Sequence, residues 1–200
     1  MGPHVHSFEP PERFVAGTVG EPGDRTFFLQ ARGGGQLVSV ALEKVQVALL
    51  ADKLEELLAE ASNRFGVSIP TGEDLPQDNE PLDTPLDEEF RVGTLGLAWD
   101  VDTSTVLIEA IAVGERQGEE AEAALGESDE DADADTDTDT DDEEDENLDR
   151  LRVRLTPKET RAFIDRARRL VAAGRPPCPL CGNPLDPSGH LCPRHNGYRR

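Results

Sequence analysis

Val38, Val40 and Leu42 alternate with Ser39 and Ala41, and Leu151, Val153 and Leu155 alternate with Arg152 and Arg154. A period of two puts successive side chains on opposite faces, so both runs predict half-buried strands. Each run then passes into a helical period. Leu50, Leu54, Leu57 and Leu58 fall on one helical face, and Phe163, Ala167, Leu170 and Val171 fall on another at the same offsets. The second helix carries a start signal: Thr156 and Glu159 form a capping box around Pro157 at the first helical position. Gly66 and Gly174 are the expected stops.

Two further strands precede each of these pairs. Phe14 to Gly20 reads FVAGTVG and Phe90 to Gly96 reads FRVGTLG, both F-x-x-G-T-x-G. Thr26 to Ala31 matches Thr105 to Ala110, both rich in β-formers after turn residues. The prediction is an α+β fold of two β-β-β-α repeats packed as one pseudo-two-fold domain, finished by a C-terminal zinc knuckle. The boundaries are 1–66 for the first repeat, 67–88 for a proline- and acid-rich linker, 89–174 for the second repeat and 175–200 for the knuckle. One unit of about 55 residues is marginal alone, so the two are expected to share a core. Glycines inside the strands are read as bulges or points of close backbone approach. A phosphate cradle is the weaker reading, because no helix N-terminus follows them.

Charge divides the chain differently. It carries 42 acidic and 20 basic residues, a formal charge of −22. Residues 115–146 hold 18 acids and one base, whereas residues 148–200 hold 4 acids and 12 bases. The acidic insert, residues 115–147, interrupts the second repeat before its third strand and has nothing apolar to bury. It reads as a solvating segment; the sharper alternative is a phosphate mimic that masks the arginines following it. No apolar run approaches the length that spans a bilayer. The start, MGPHVHSFEP, lacks the basic and apolar regions of a signal peptide, so the expected location is cytoplasmic.

The strongest chemical motif is Cys178-x2-Cys181-x10-Cys192-x2-His195. Two closely spaced pairs of soft ligands close a tetrahedron around Zn²⁺. His190 is the alternate fourth ligand. Four ligands leave no open position for water, so the zinc is structural, a clip for a tail too short to have its own core. A second candidate is basic: Arg150, Arg152 and Arg154 on one strand face, Arg161, Arg168 and Arg169 on the next helix, and Arg194, Arg199 and Arg200 beyond. Arginine forks suit phosphate, which makes this a nucleic-acid surface; the plain alternative is a solvated face balancing an acidic chain. His4 and His6 form H-x-H at a terminus expected to fray. No nucleophile elbow, P-loop, metalloprotease helix or dinucleotide fingerprint is present.

The segments FVAGTVGEPGDRTFFLQA, VSVALEKVQVALLA and CPLCGNPLDPSGHLCPRHNGY together resemble an uncharacterised family of actinobacterial proteins, a domain of unknown function sometimes labelled "repeat protein". The resemblance implies an actinobacterial, cytoplasmic protein and carries no activity to this chain. The functional expectation is a non-catalytic binding or adaptor protein with an unidentified protein partner. The alternatives are a nucleic-acid-binding factor using residues 150–169 and the knuckle, and an enzyme with its site between the repeats.

Overall fold

The computed structural model describes residues 2–21, 23–70, 75, 77–114, 147–174, 178 and 180–181. Its elements follow in chain order. They are β1 (Val5–Phe8), β2 (Arg13–Val19), β3 (Thr26–Gly33), β4 (Gln36–Leu42), α1 (Lys44–Phe65), β5 (Glu88–Asp100), β6 (Thr105–Ala112), β7 (Arg150–Leu155) and α2 (Pro157–Ala172). The fold is α+β. The three strands and helix expected in each half are present in the expected order. Most helix signals hold as well: Thr156 and Glu159 close the capping box of α2, and Gly66 ends α1 in a left-handed conformation, whereas α2 is capped by Ala173, one residue before the expected Gly174.

One element was not anticipated. The N-terminus does not fray: β1 pairs in parallel with β7, and the Arg150 N–H donates to the His4 carbonyl at 2.9 Å. The His4 N–H donates to Asp149 Oδ1 at 2.7 Å, which anchors the strand at its start.

All strands join one seven-stranded sheet in the order β1-β7-β6-β5-β4-β3-β2. Neighbours are antiparallel within β2–β4 and within β5–β7, while β4 and β5 are parallel. At the junction the third strand of one unit meets the first strand of the next. The units therefore run head to tail across the sheet. A parallel β4–β5 pair also demands a long crossover, which α1 and residues 66–87 supply. β1 lies beside β7 as β5 lies beside β4, parallel in both cases.

Distances force this sheet to roll. Laid flat, its outermost strands would stand about 29 Å apart, at about 4.8 Å per gap. Residues 9–12 join β1 directly to β2, and that stretch reaches about 18 Å at most. The two ends therefore approach one another, and a Cβ added at Gly33 of β3 would come within 3.2 Å of the Phe8 ring of β1.

Both helices pack on one face of the roll. Leu29, Val40 and Leu54 of the first unit and Ile108, Val153 and Ile164 of the second belong to a single core. The Gln46 side chain ties α1 to β5: its Oε1 accepts from the Glu43 N–H at 2.7 Å and its Nε2 donates to the Val92 carbonyl at 3.1 Å. That carbonyl sits at the irregularity between Val92 and Thr94, so Gly93 occupies a bulge.

The glycines of the two F-x-x-G-T-x-G segments have separate duties. At Gly17 an added Cβ would lie 2.5 Å from both Cγ and Cδ2 of Leu82, so the segment after α1 presses directly on β2. Gly20 sits at φ +102° with the Asp24 carbonyl oxygen 2.2 Å from where a Cβ would be. Gly96, at the matching place in β5, has nothing nearer than 3.7 Å. Gly17→Ala should cost about 1–3 kcal/mol by overpacking, and Gly20→Ala should cost at least as much through backbone strain. Gly96→Ala should be neutral or slightly stabilising, since alanine loses less backbone entropy. Midpoints of urea unfolding for the three variants check this; equal effects at positions 20 and 96 would refute it.

Candidate functional site

The six predicted arginines do not form one surface. Arg150, Arg152 and Arg154 alternate with the core residues Leu151, Val153 and Leu155, so they project from the face opposite the helices. Arg161, Arg168 and Arg169 stand on α2, whose buried side carries Phe163, Ile164 and Ala167 on the core face. The sheet separates the two sets.

Each set is held by this chain, by carboxylates for every arginine but Arg169. Arg150 and Arg152 share Glu109 of β6, at 3.4 and 2.8 Å. Arg154 pairs with Asp100 and, at 3.3 Å, with Glu9. Thr103 backbone hydrogen bonding, with Arg154 beside it, keeps the Asp100 carboxyl below its ordinary range. On the helices, Arg161 meets Glu55 of α1 at 2.6 Å, and Arg168 meets Asp52 at 2.9 Å as well as Glu55. Arg161, then Arg168, lower the Glu55 carboxyl in turn. Arg169 donates to Asn79 Oδ1 at 3.4 Å. Three strand arginines thus face three carboxylates, and a nucleic-acid phosphate would have to displace them.

A concave site lies elsewhere, at the seam where the sheet's two ends approach. A cleft of about 300 Å³ opens there between β2, the end of β7 and α2. Its apolar walls include Phe14, Leu155, Ala162 and Phe163. Phe14 and Phe163 stack with centroids 4.9 Å apart.

The rim is a clasp made by one carboxylate and two arginines. Asp78, in the segment after α1, receives Arg13 Nε at 2.6 Å and Nη2 at 2.9 Å. Arg166 of α2 donates to Asp78 Oδ1 at 2.7 Å and to its carbonyl at 2.6 Å. Arg166 Nε also donates to the Ala16 carbonyl at 2.8 Å, on the edge strand β2. The strap continues over the opposite face. There Asp83 exchanges hydrogen bonds with buried Gln30, receiving Nε2 on its carbonyl at 3.0 Å and donating its N–H to Oε1 at 2.7 Å.

Asp78 acts on its two arginines unequally. Arg13, bonded to it in bidentate fashion, is raised above its ordinary value. Arg166 is lowered, first by burial and then by the repulsion of Arg13, which outweigh Asp78. The sequence offered Arg13, Asp78 and Arg166 no distinguishing signal. They are far apart in the chain, and Asp78 lies in a stretch read only as an irregular link.

The metal prediction falls largely outside the described residues. Cys178 is buried and Cys181 partly exposed. Cys192, His195, the alternate His190, Arg194, Arg199, Arg200 and the acidic residues 115–146 all lie outside them. Among the described residues no three His, Cys, Asp or Glu side chains are grouped for a metal ion, and no helix is long and apolar enough to cross a membrane.

The Asp78 carboxyl is held below its ordinary range, most strongly by Arg13. Its contribution to stability is therefore complete above the usual carboxylate range and is lost as pH falls through its lowered value. Asp78→Asn should cost about 1–3 kcal/mol at pH 7, between the values for exposed and buried pairs. Wild type and variant should converge in stability as the solution is acidified. Urea unfolding at stepped pH measures both, and a gap that stays constant into acid would contradict the clasp.

Comparison with curated proteins and with solved structures gives no match. A family model described as "Protein of unknown function (DUF3090)" matches residues 6–192. That span takes in both β-β-β-α units and the clasp, and the chain belongs to this family.

Proposed function

We propose that this chain is a non-catalytic binding protein whose ligand occupies the seam cleft. One observation carries the reading: the cleft is built jointly by β2 of the first unit, β7 and α2 of the second, and the strap between them. A concave apolar site with a few convergent polar groups is the usual form of a small-molecule site, and about 300 Å³ is at the lower end of the usual range. The two units, read as copies of one module, would have to assemble before the site exists.

Binding fits the lining better than chemistry does. No hydroxyl, thiol, imidazole or amine side chain lines the cleft among the described residues. Asp78 is held ionised between two arginines, and Glu159 closes the α2 capping box. A general acid or base near neutrality would need the opposite of the shift that Asp78 shows. In this reading Arg150, Arg152 and Arg154 brace the strands through Glu109, Asp100 and Glu9 rather than meeting phosphate.

A structural Zn²⁺ held by Cys178, Cys181, Cys192 and His195 is part of the proposal. Its support is the ligand spacing. Purified full-length protein should carry about one zinc per chain, and Cys178→Ser with Cys192→Ser should lose it while the sheet keeps its melting transition. A metal-free native chain, or collapse of that transition on chelation, would defeat this part.

The cleft itself is tested by filling it. Fragments of one aromatic ring found to bind the full chain by NMR should lose binding in Ala162→Trp, with the circular dichroism spectrum and melting temperature retained. Fragments that bind the well-folded variant unchanged would place the site elsewhere.

A further inference from the structure

We infer that residues 175–200 form a second strap, lying along the free edge of β5 and over the outer face of the second unit as residues 66–87 do over the first. The first strap shows what such a cover does. It seals the β2 edge at Asp78, presses Leu82 onto Gly17 and bonds Asp83 to Gln30. Beneath it Phe28, Gln30, Ser39 and Ala41 are buried, although all four alternate with core residues and project from the face opposite the helices.

The second unit presents the same ground uncovered. Its strands pair in the same register: Gln30 stands opposite Ser39 and Glu109 opposite Arg152, while Gly17 opposes Phe28 and Ala98 opposes Leu107. At these matching places Leu107, Glu109 and Arg152 are partly exposed and Ala98 is exposed. Glu109 gives Oε1 to Arg150 and Arg152, and its Oε2 accepts from none of the described residues.

The edge is open as well. β4 pairs with β5 only as far as Arg91, and beyond it the Gln46 side chain reaches the carbonyls of Val92 and Gly93. Among the described residues nothing pairs with Thr94 to Asp100 on the side away from β6. Leu95, Leu97 and Trp99 line that stretch partly buried, and Trp99 Nε1 is buried with no hydrogen-bond partner among the described residues. An open edge flanked by apolar side chains invites pairing unless it is covered, and a buried indole N–H is normally satisfied.

This chain supplies the cover. The first strap is the segment that follows α1, and residues 175–200 follow α2. Units repeated in sequence tend to repeat their packing. Length suffices: the first strap takes 22 residues, and 26 follow Gly174. Cys178, the fourth of them, is already buried. Leu180, Leu185 and Leu191, spaced among prolines, are apolar side chains for the ground around Leu107. Other occupants fit less well. Residues 115–146 carry 18 acids and few apolar side chains, and a second copy would bring another net charge of −22.

The test places photo-reactive benzoylphenylalanine at Ala98 in the full chain. Irradiation and peptide mapping should find the link in residues 175–200 of the same chain, in a yield several-fold above that from the same group at Val45, which is exposed on α1. A link to residues 115–146, a link between chains, no link, or equal yield from the two positions overturns the second strap. Amide hydrogen exchange asks the same of the unmodified chain. Those amides of residues 94–99 not bonded to β6 should exchange orders of magnitude more slowly than an unprotected chain. Exchange at the unprotected rate would leave the edge bare and the inference refuted.

Discussion

Residues 9–12 must connect strands that stand at opposite ends of the sheet, and most of the molecule follows from that tether. A short link cannot span a flat seven-stranded sheet, so the sheet rolls until its ends nearly meet. Rolling turns one apolar face toward a common interior where α1 and α2 can fill it. It also leaves β2 as a strand edge at the seam. Exposed edges invite pairing with other chains, and proteins cover them with charges or loops. Here the cover is the strap after α1, buttoned by Asp78 between Arg13 and Arg166, with the Ala16 carbonyl capped directly by arginine. The seam cleft is the space this closure does not fill.

Local periodicity made the elements legible. The alternation in β4 and β7, the helical faces of α1 and α2 and the capping box at Thr156 are each set by residues a few positions apart, and all are present. The same local reasoning misjudged β1. Val5 to Phe8 is short and lies next to two prolines, and what makes it a strand is a parallel pairing with β7, about 145 residues away. Strand order was not legible for a related reason. Two matching units predict that they pack together, but how their strands join lies in the crossover, and a linker rich in proline and acids does not reveal its path.

The arginines show a second limit. Period two correctly put Arg150, Arg152 and Arg154 on one face. It was silent on what faces them, because Glu109 comes from the neighbouring strand and Asp100 and Glu9 from more distant positions. A basic stripe in sequence becomes a neutral ladder once its cross-strand partners are set in register, Glu109 lying directly opposite Arg152. The cleft was harder still. Phe14 belonged to a strand motif and Phe163 to a helix face, and nothing local indicates that they stack.

Building a site from both units has an energetic consequence. The cleft walls come from β2 and α2, which the clasp also joins, so folding and site formation use the same contacts. Opening the seam would strip Arg166 of Asp78 and of its backbone acceptors together, several hydrogen bonds to a charged group that water would have to replace at once. That cost holds the walls in place before any ligand arrives, and a pre-formed site spares the ligand the entropy of ordering it. Such a ligand would in turn favour the closed seam by mass action, in proportion to its concentration over its dissociation constant. Stability and binding at this seam are therefore two readings of the same closed arrangement.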